Sequence, residues 1–170
     1  MEPEFTYDLD PVTRITADAV GEPGQRIFYI QARRDHDLVS LIAEKEQVKA
    51  LAEIIDQFLE ELSEKEPLLT ASETLIPLIN MTLEEPLEPI FRVSEIQFGY
   101  DKERDVVILL IHGFPQDDDG ESPSVRFGVT RQQIQALSQH ATQVVASGRK
   151  ICGNCLQPIN ADGHFCPRMN

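Results

Sequence analysis

One pattern of strands and helix runs through this chain twice. Arg14-Ile15-Thr16 leads to Gly21, and Arg92-Val93-Ser94 leads to Gly99 at the same spacing. An apolar strand follows each glycine, Arg26-Ile27-Phe28-Tyr29-Ile30-Gln31 in one case and Asp105-Val106-Val107-Ile108-Leu109-Leu110-Ile111 in the other. A third strand comes next, around Leu38–Ile42 and Ser124–Val129. A helix then opens in both halves, Gln47-Val48-Lys49-Ala50-Leu51 against Gln133-Ile134-Gln135-Ala136-Leu137. The offset is 78 residues at the first strand (14 to 92) and 86 at the helix (47 to 133), and an eight-residue excess near Gln116 to Pro123 accounts for the difference. The repetition implies a diverged duplication of a β-β-β-α unit, with similar short amphipathic patterns as the alternative.

The helices have local support. Val48, Leu51, Ile55, Phe58, Leu59 and Leu62 recur at three- and four-residue steps and make one apolar face. Glu53, Asp56, Glu60, Glu61 and Glu64 fall mostly on the other face as solvated charge. Thr130 with Gln133 has the form of a capping box, and Gly148 is a helix stop. Pro67, Pro77, Pro86 and Pro89 punctuate a crossover between the halves, with a short helical turn expected within Ser72–Met81. Strands followed by helices predict an α+β fold, antiparallel sheet or sheets with the helices on one face. The expected divisions are residues 1–66 for the first unit, 67–89 for the crossover, 90–148 for the second unit and 149–170 for a tail. The sequence leaves open whether the two units share one sheet.

The tail carries the clearest chemistry. All three cysteines of the chain fall there, as Cys152-x-x-Cys155 and, with His164, as His164-x-Cys166. Three thiols and an imidazole complete the tetrahedral set of a closed structural zinc site. Thiolate is soft and imidazole borderline, which suits zinc better than magnesium or calcium. Gly153 and Gly163 supply turns where ligands must converge. His164 and Cys166, two residues apart, share one ion only if the chain turns between them. A redox Cys152–Cys155 dithiol is the alternative, weakened by the lack of a βαβ context.

Charge restricts the partners. Twenty-nine acidic residues against fifteen basic give a formal net charge of −14. Nucleic-acid binding depends on lysines and arginines that neutralise phosphates, so no nucleic-acid partner is expected. No run of eighteen apolar residues exists, so no membrane span is expected. The acidic start Met1-Glu2-Pro3-Glu4 lacks the regions of a signal peptide. Clustered cysteines in an unsecreted chain favour metal over disulfides, and a cytoplasmic location follows.

Three further motifs invite over-reading. Leu109-Leu110-Ile111-His112-Gly113-Phe114-Pro115 has the look of an α/β-hydrolase oxyanion loop, but no G-x-S-x-G elbow accompanies it and only 55 residues follow. His112 is expected at a strand end, half exposed. Asp117-Asp118-Asp119-Gly120-Glu121 resembles a calcium loop only in composition and reads as a hydrated hairpin loop. Gly21-Glu22-Pro23-Gly24-Gln25-Arg26 is a hairpin turn by its glycines and proline, and lacks the phosphate-loop and dinucleotide patterns. Gly21, Gly24 and Arg26 remain candidates for a small anion-binding nest.

The run Val20-Gly-Glu-Pro-Gly-Gln-Arg-Ile-Phe-Tyr-Ile-Gln-Ala-Arg33, the helix opening Glu44-Lys-Glu-Gln-Val48, Phe91-Arg-Val93, and the ending Cys152-x-x-Cys-x-x-Pro with Gly163-His-x-Cys-Pro-Arg-x-Asn170 resemble a bacterial family, domain of unknown function 3090. The resemblance spans nearly the whole chain. It implies a cytosolic bacterial protein encoded near a kinase-like protein and a phosphomutase-like protein, and it brings no established activity. It keeps Cys152, Cys155, His164 and Cys166 as one constellation.

No catalytic set assembles in the sequence, so the leading expectation is a non-enzymatic adaptor. Its zinc-clamped tail, or its acidic first helix, would present a surface to an unidentified protein partner. The rival expectation is an enzyme or a binder of a phosphorylated or otherwise anionic small ligand, with its site between the halves. Arg26, Gln31, Arg33 and His112 are that site's candidate polar groups.

Overall fold

Alternating apolar residues on neighbouring strands need a common surface to bury, and in this chain all the strands share one. The structure is a computed structural model that describes residues 5–22, 24–67, 80–147, 153–155 and 166. Among the described residues, seven strands form one mixed sheet and two helices pack on it. The strands are β1 (Tyr7–Leu9), β2 (Arg14–Val20), β3 (Ile27–Arg34), β4 (Asp37–Ala43), β5 (Pro89–Asp101), β6 (Val106–Gly113) and β7 (Ser124–Thr130). The helices are α1 (Lys45–Lys65), after β4, and α2 (Arg131–Ser147), after β7. The α+β expectation therefore holds, and the order of three strands and a helix occurs twice.

The purely antiparallel sheet does not hold. The order is β1-β7-β6-β5-β4-β3-β2, and β4 pairs with β5, and β1 with β7, in parallel. Antiparallel hairpins account for the rest. The parallel contacts are the two seams where the halves meet, each requiring a connection that crosses the sheet. Residues 10–13, between β1 and β2, bond to both flanks: Val12 N–H donates to Gly128 C=O and Thr13 N–H to Arg33 C=O, each at 2.8 Å. Gly99 also departs from the expected parallel with Gly21. It lies inside β5, paired with Ile108, whereas Gly21 forms a turn at φ +113°.

The helices cross over between halves. α2 lies along β2, while α1 meets β5 through Phe58, whose ring centroid is 5.1 Å from that of Phe98 and 5.0 Å from that of Tyr100. The two helices touch each other, and Ser138 Oγ donates to Ala52 C=O at 3.2 Å. α1 buries Val48, Leu51, Ala52, Ile55 and Leu62, and α2 buries Ile134, Leu137, Ala141 and Val144. With Ile30, Leu41, Leu109, Ile111 and Phe127 from the strands they make one core. Each such large side chain contributes about 1.5–3 kcal/mol of burial.

Both helix starts use the same device. Gln47 Oε1 accepts the Glu44 amide at 2.8 Å, and Gln133 Oε1 accepts the Thr130 amide at 2.9 Å. Each glutamine then reaches across to the other half. Gln47 Nε2 donates to Val93 C=O at 3.0 Å, and Gln133 Nε2 donates to Val12 C=O at 3.1 Å.

The first half buries both faces of its strands. Residues 28–32 of β3 are all buried, because residues 80–84 lie over the side opposite the helices. Thr16 Oγ1 donates to Met81 C=O at 2.6 Å, and Arg33 Nε meets Glu84 Oε2 at 2.5 Å. The short helical turn expected within Ser72–Met81 falls mostly outside the described residues, as does the helix stop at Gly148. No helix among the described residues is long and apolar enough to cross a membrane.

Candidate functional site: a cationic cleft at the seam between the halves

The turn after β2 is shaped by its glycines. Gln25 N–H donates to Glu22 C=O at 2.9 Å, and Gly24 sits at φ +90°, a value that side chains disfavour. A Cβ on Gly21 would lie 2.8 Å from the Gln25 carbonyl oxygen. The turn delivers Arg26 to the start of β3. Its Nη1 donates to Val144 C=O at 2.9 Å and to Ser147 Oγ at 3.3 Å, and its guanidinium stacks 4.8 Å above the Phe28 ring. Arg26 thus supplies positive charge to the carbonyl end of α2, where the helix dipole favours it.

On its other side Arg26 borders a cleft of about 300 Å³. Ile27, Phe28, Ile42 and Ala43 form the apolar wall, and Gly24 the rim. Lys45, the first residue of α1, and Arg92, on β5 beside Ile42, complete the lining with Glu44. Arg92 belongs to the second half and the rest to the first, so the cleft straddles the parallel seam. Three cations from three separate elements converge here in a protein of net charge −14. Glu44 Oε1 lies 2.6 Å from Arg92 Nη1, with both side chains more than half exposed.

The corresponding place in the second half is arranged differently. The residue before β6 is Asp105 where β3 is preceded by Arg26, and α2 begins with Arg131 where α1 begins with Lys45. Arg131 Nε donates to both Asp105 oxygens, at 2.8 and 2.9 Å. Tyr100 OH donates to the same carboxylate, and burial together with that bond pushes the phenol up to about 12. Leu9 faces Phe127 as Phe91 faces Leu41, which brings Asp10 to the position of Arg92. Arg104 grips Asp10 with two bonds, of 2.9 and 2.7 Å, and that hydrogen bonding holds the carboxyl below the usual carboxylate range. Cations there are matched by the chain's own carboxylates.

Of the residues singled out from sequence, Gly24 and Arg26 line the cleft and Gly21 shapes the turn beside it. Gln31 does not line it. It is fully buried and bonded to Ser40 and Glu84. Arg33 is turned to Glu84, and His112 stands half-buried near the end of β6 that pairs with Val93, opposite Glu95 and Ser124, but is not among the described residues that line the cleft. Lys45 and Arg92 were missed, although both stand in stretches that carried the family resemblance. Three of those stretches, Val20–Arg33, Glu44–Val48 and Phe91–Val93, meet at the cleft.

In the tail, Cys166 is buried, 7% exposed, and Cys155 half-buried. Cys152 and His164 lie outside the described residues. Among the described residues no three potential metal ligands gather.

Residues 7–166 match the model of a family described as "Protein of unknown function (DUF3090)", and the chain belongs to that family. No curated protein and no solved structure matches it.

Proposed function

We propose that the protein binds a small anionic ligand, a phosphoryl or carboxylate group on a partly apolar body, in the cleft between the two halves. The convergence of Arg26, Lys45 and Arg92 on one cleft carries this reading. The start of α1 adds backbone N–H groups and the positive end of a helix dipole on the same side. The wall of Ile27, Phe28, Ile42 and Ala43 suits a ring or chain attached to the anion. The lining groups hold charge and shape, and binding is the chemistry they provide.

Titration calorimetry with phenyl phosphate, inorganic phosphate and benzoate tests it. Phenyl phosphate is expected to bind with a Kd of about 0.1–1 mM. Lys45→Gln and Arg92→Gln should each weaken it about tenfold, the worth of one charge-assisted hydrogen bond. Both variants should keep the far-UV spectrum of the parent. Arg26→Gln is a poorer probe because it also strips a cation from the end of α2. Saturable binding to none of the three anions at low salt would sink the reading.

The repeated strand-strand-strand-helix order, with Gln47 and Gln133 in matching roles, supports a diverged duplication whose two copies swap helices. A second functional reading is an adaptor with a zinc-clamped tail on Cys152, Cys155, His164 and Cys166. The burial of Cys166 in a tail otherwise poor in apolar residues favours it. Protein purified under reducing conditions should then hold one zinc per chain, with three slowly reacting thiols. No metal, and reversible oxidation of Cys152 with Cys155, would remove it.

A further inference from the structure

Glu44 is out of place in an anion-binding cleft. It is the negative charge among the described lining residues, and it points its Oε1 at Arg92. The Glu44 side chain also closes a capping box with Gln47 at the start of α1, but that cap does not require a carboxylate. Position 44 precedes the first residue of α1, and the corresponding position before α2 is Thr130, whose hydroxyl accepts the Gln133 amide at 3.1 Å. The glutamine three residues on closes both caps in the same way, by bonding the cap amide. A neutral residue therefore serves at this position.

The second half also displays a closed version of the site. Asp10, in the place of Arg92, is clamped by Arg104 and packed against Gly128, with its side chain 7% exposed. Asp105, in the place of Arg26, holds Arg131. Charge is balanced there by short, gripped carboxylates. In the first half the described lining of the cleft holds three cations and one carboxylate, on a side chain that is 63% exposed and paired with an Arg92 that is itself 55% exposed. Ion pairs this exposed are weak and readily exchanged.

We propose that Glu44 is a tethered competitor that occupies Arg92 in the free protein and is displaced by the ligand's anionic group. The inference rests on the anion-binding reading of the cleft. Its consequence is a threshold that every anion meets. Any anion that takes Arg92 must first displace Glu44, at the same cost whatever the anion. A monocarboxylate replaces Glu44 like for like and gains little at Arg92. A phosphomonoester carries nearly two charges and three strong acceptor oxygens, so it more than offsets that cost.

Binding of phenyl phosphate and benzoate to the full chain, to Glu44→Thr, to Arg92→Gln and to the double variant tests this. Glu44→Thr carries the residue that caps α2 and should leave α1 intact by circular dichroism, and Glu44→Gln is a second neutral replacement. Both should bind phenyl phosphate about fivefold more tightly than the parent, the upper worth of an exposed ion pair. Benzoate should gain no more than phenyl phosphate, because displacing Glu44 from Arg92 costs both anions the same. In the Arg92→Gln background the substitution at 44 should change neither affinity. If the parent binds phenyl phosphate and Arg92→Gln weakens it, yet neither neutral variant tightens it, the competitor role is overturned and the anion site stands. If neither parent nor neutral variants bind either compound, the cleft reading falls and this inference with it.

Discussion

Gly128→Ala is expected to destabilise the protein by about 3 kcal/mol, although it adds one methyl group to a strand. A Cβ at this position would collide with Asp10 Oδ1 and lie 3.0 Å from Asp10 Cβ. The carboxylate has little freedom to yield. Arg104 holds it by two bonds, Arg126 Nη2 stands 3.8 Å from its Oδ2, and Arg34 Nη1 donates to the carbonyl of the same residue at 2.5 Å. Swinging Asp10 aside breaks the Arg104 grip and loosens the corner that joins β1 to β2 across β7. Asp10→Ala alone should cost about 2 kcal/mol, as a hydrogen-bonded charge lost from a largely buried site. The double variant Asp10→Ala/Gly128→Ala should lose much less than the two single losses together, because the collision is gone. Urea denaturation of the four proteins measures this. Additive losses would mean that Gly128 matters for another reason.

The same contact has a pH signature. Hydrogen bonding to Arg104, the largest influence, lowers the folded-state value of Asp10 below its ordinary one near 4. A depressed carboxylate stabilises the fold above its unfolded value, and that contribution drains away as pH falls through the folded value. The parent should therefore lose stability on acidification below about pH 4. Asp10→Asn, weaker at neutral pH, should lose less of what it has.

Much of this architecture was legible in local pattern. The 3.6-residue spacing of Val48, Leu51, Ile55 and Leu62 located α1, and Thr130 with Gln133 located the start of α2, because caps and amphipathic faces are short-range properties. The parallel seams were not legible. Nothing in the composition of β4 or β5 states that Leu41 will lie beside Phe91, since that choice is made by the crossover and by the core both strands share. The matching spacing before Gly21 and Gly99 misled for a related reason. β5 runs on to Asp101 against β6, so its glycine stays in the ladder, while β2 stops at Val20 and its glycine turns. The cleft was half legible. Arg26 stood out beside its glycines, but Lys45 and Arg92 acquire meaning only when a helix start and a seam strand are brought to the same place. Gln31 shows the converse. A polar residue in an apolar strand read as a candidate ligand contact, and the fold uses it to hold its own backbone.

Gln31→Leu is accordingly expected to destabilise by roughly 3–5 kcal/mol and to leave anion binding unchanged. Gln31 is 0% exposed and fully employed. Its Nε2 donates to Ser40 Oγ and to Glu84 C=O, each at 3.0 Å, and its Oε1 accepts the Glu84 amide at 2.8 Å. The side chain acts as a strand would, satisfying both backbone groups of Glu84 where residues 80–84 cross the sheet. Leucine fills similar volume but strands three polar groups, each costing about 1–3 kcal/mol when unmet, partly recovered where water reaches Glu84. Gln31→Glu separates charge from shape. A buried carboxylate keeps the acceptor for the Glu84 amide but loses the donors, and desolvation raises its folded-state value. A raised value stabilises below and is lost as pH rises, so this variant should gain stability relative to the parent between about pH 7 and pH 5 as its protonated form regains a donor. Urea midpoints at those two values decide the matter. A Gln31→Leu variant within about 0.5 kcal/mol of the parent would show that the Met81 bond to Thr16 and the ion pair of Arg33 with Glu84 suffice to hold the strap. The outward-facing polar residues of the first half would then be free to vary without loss of fold.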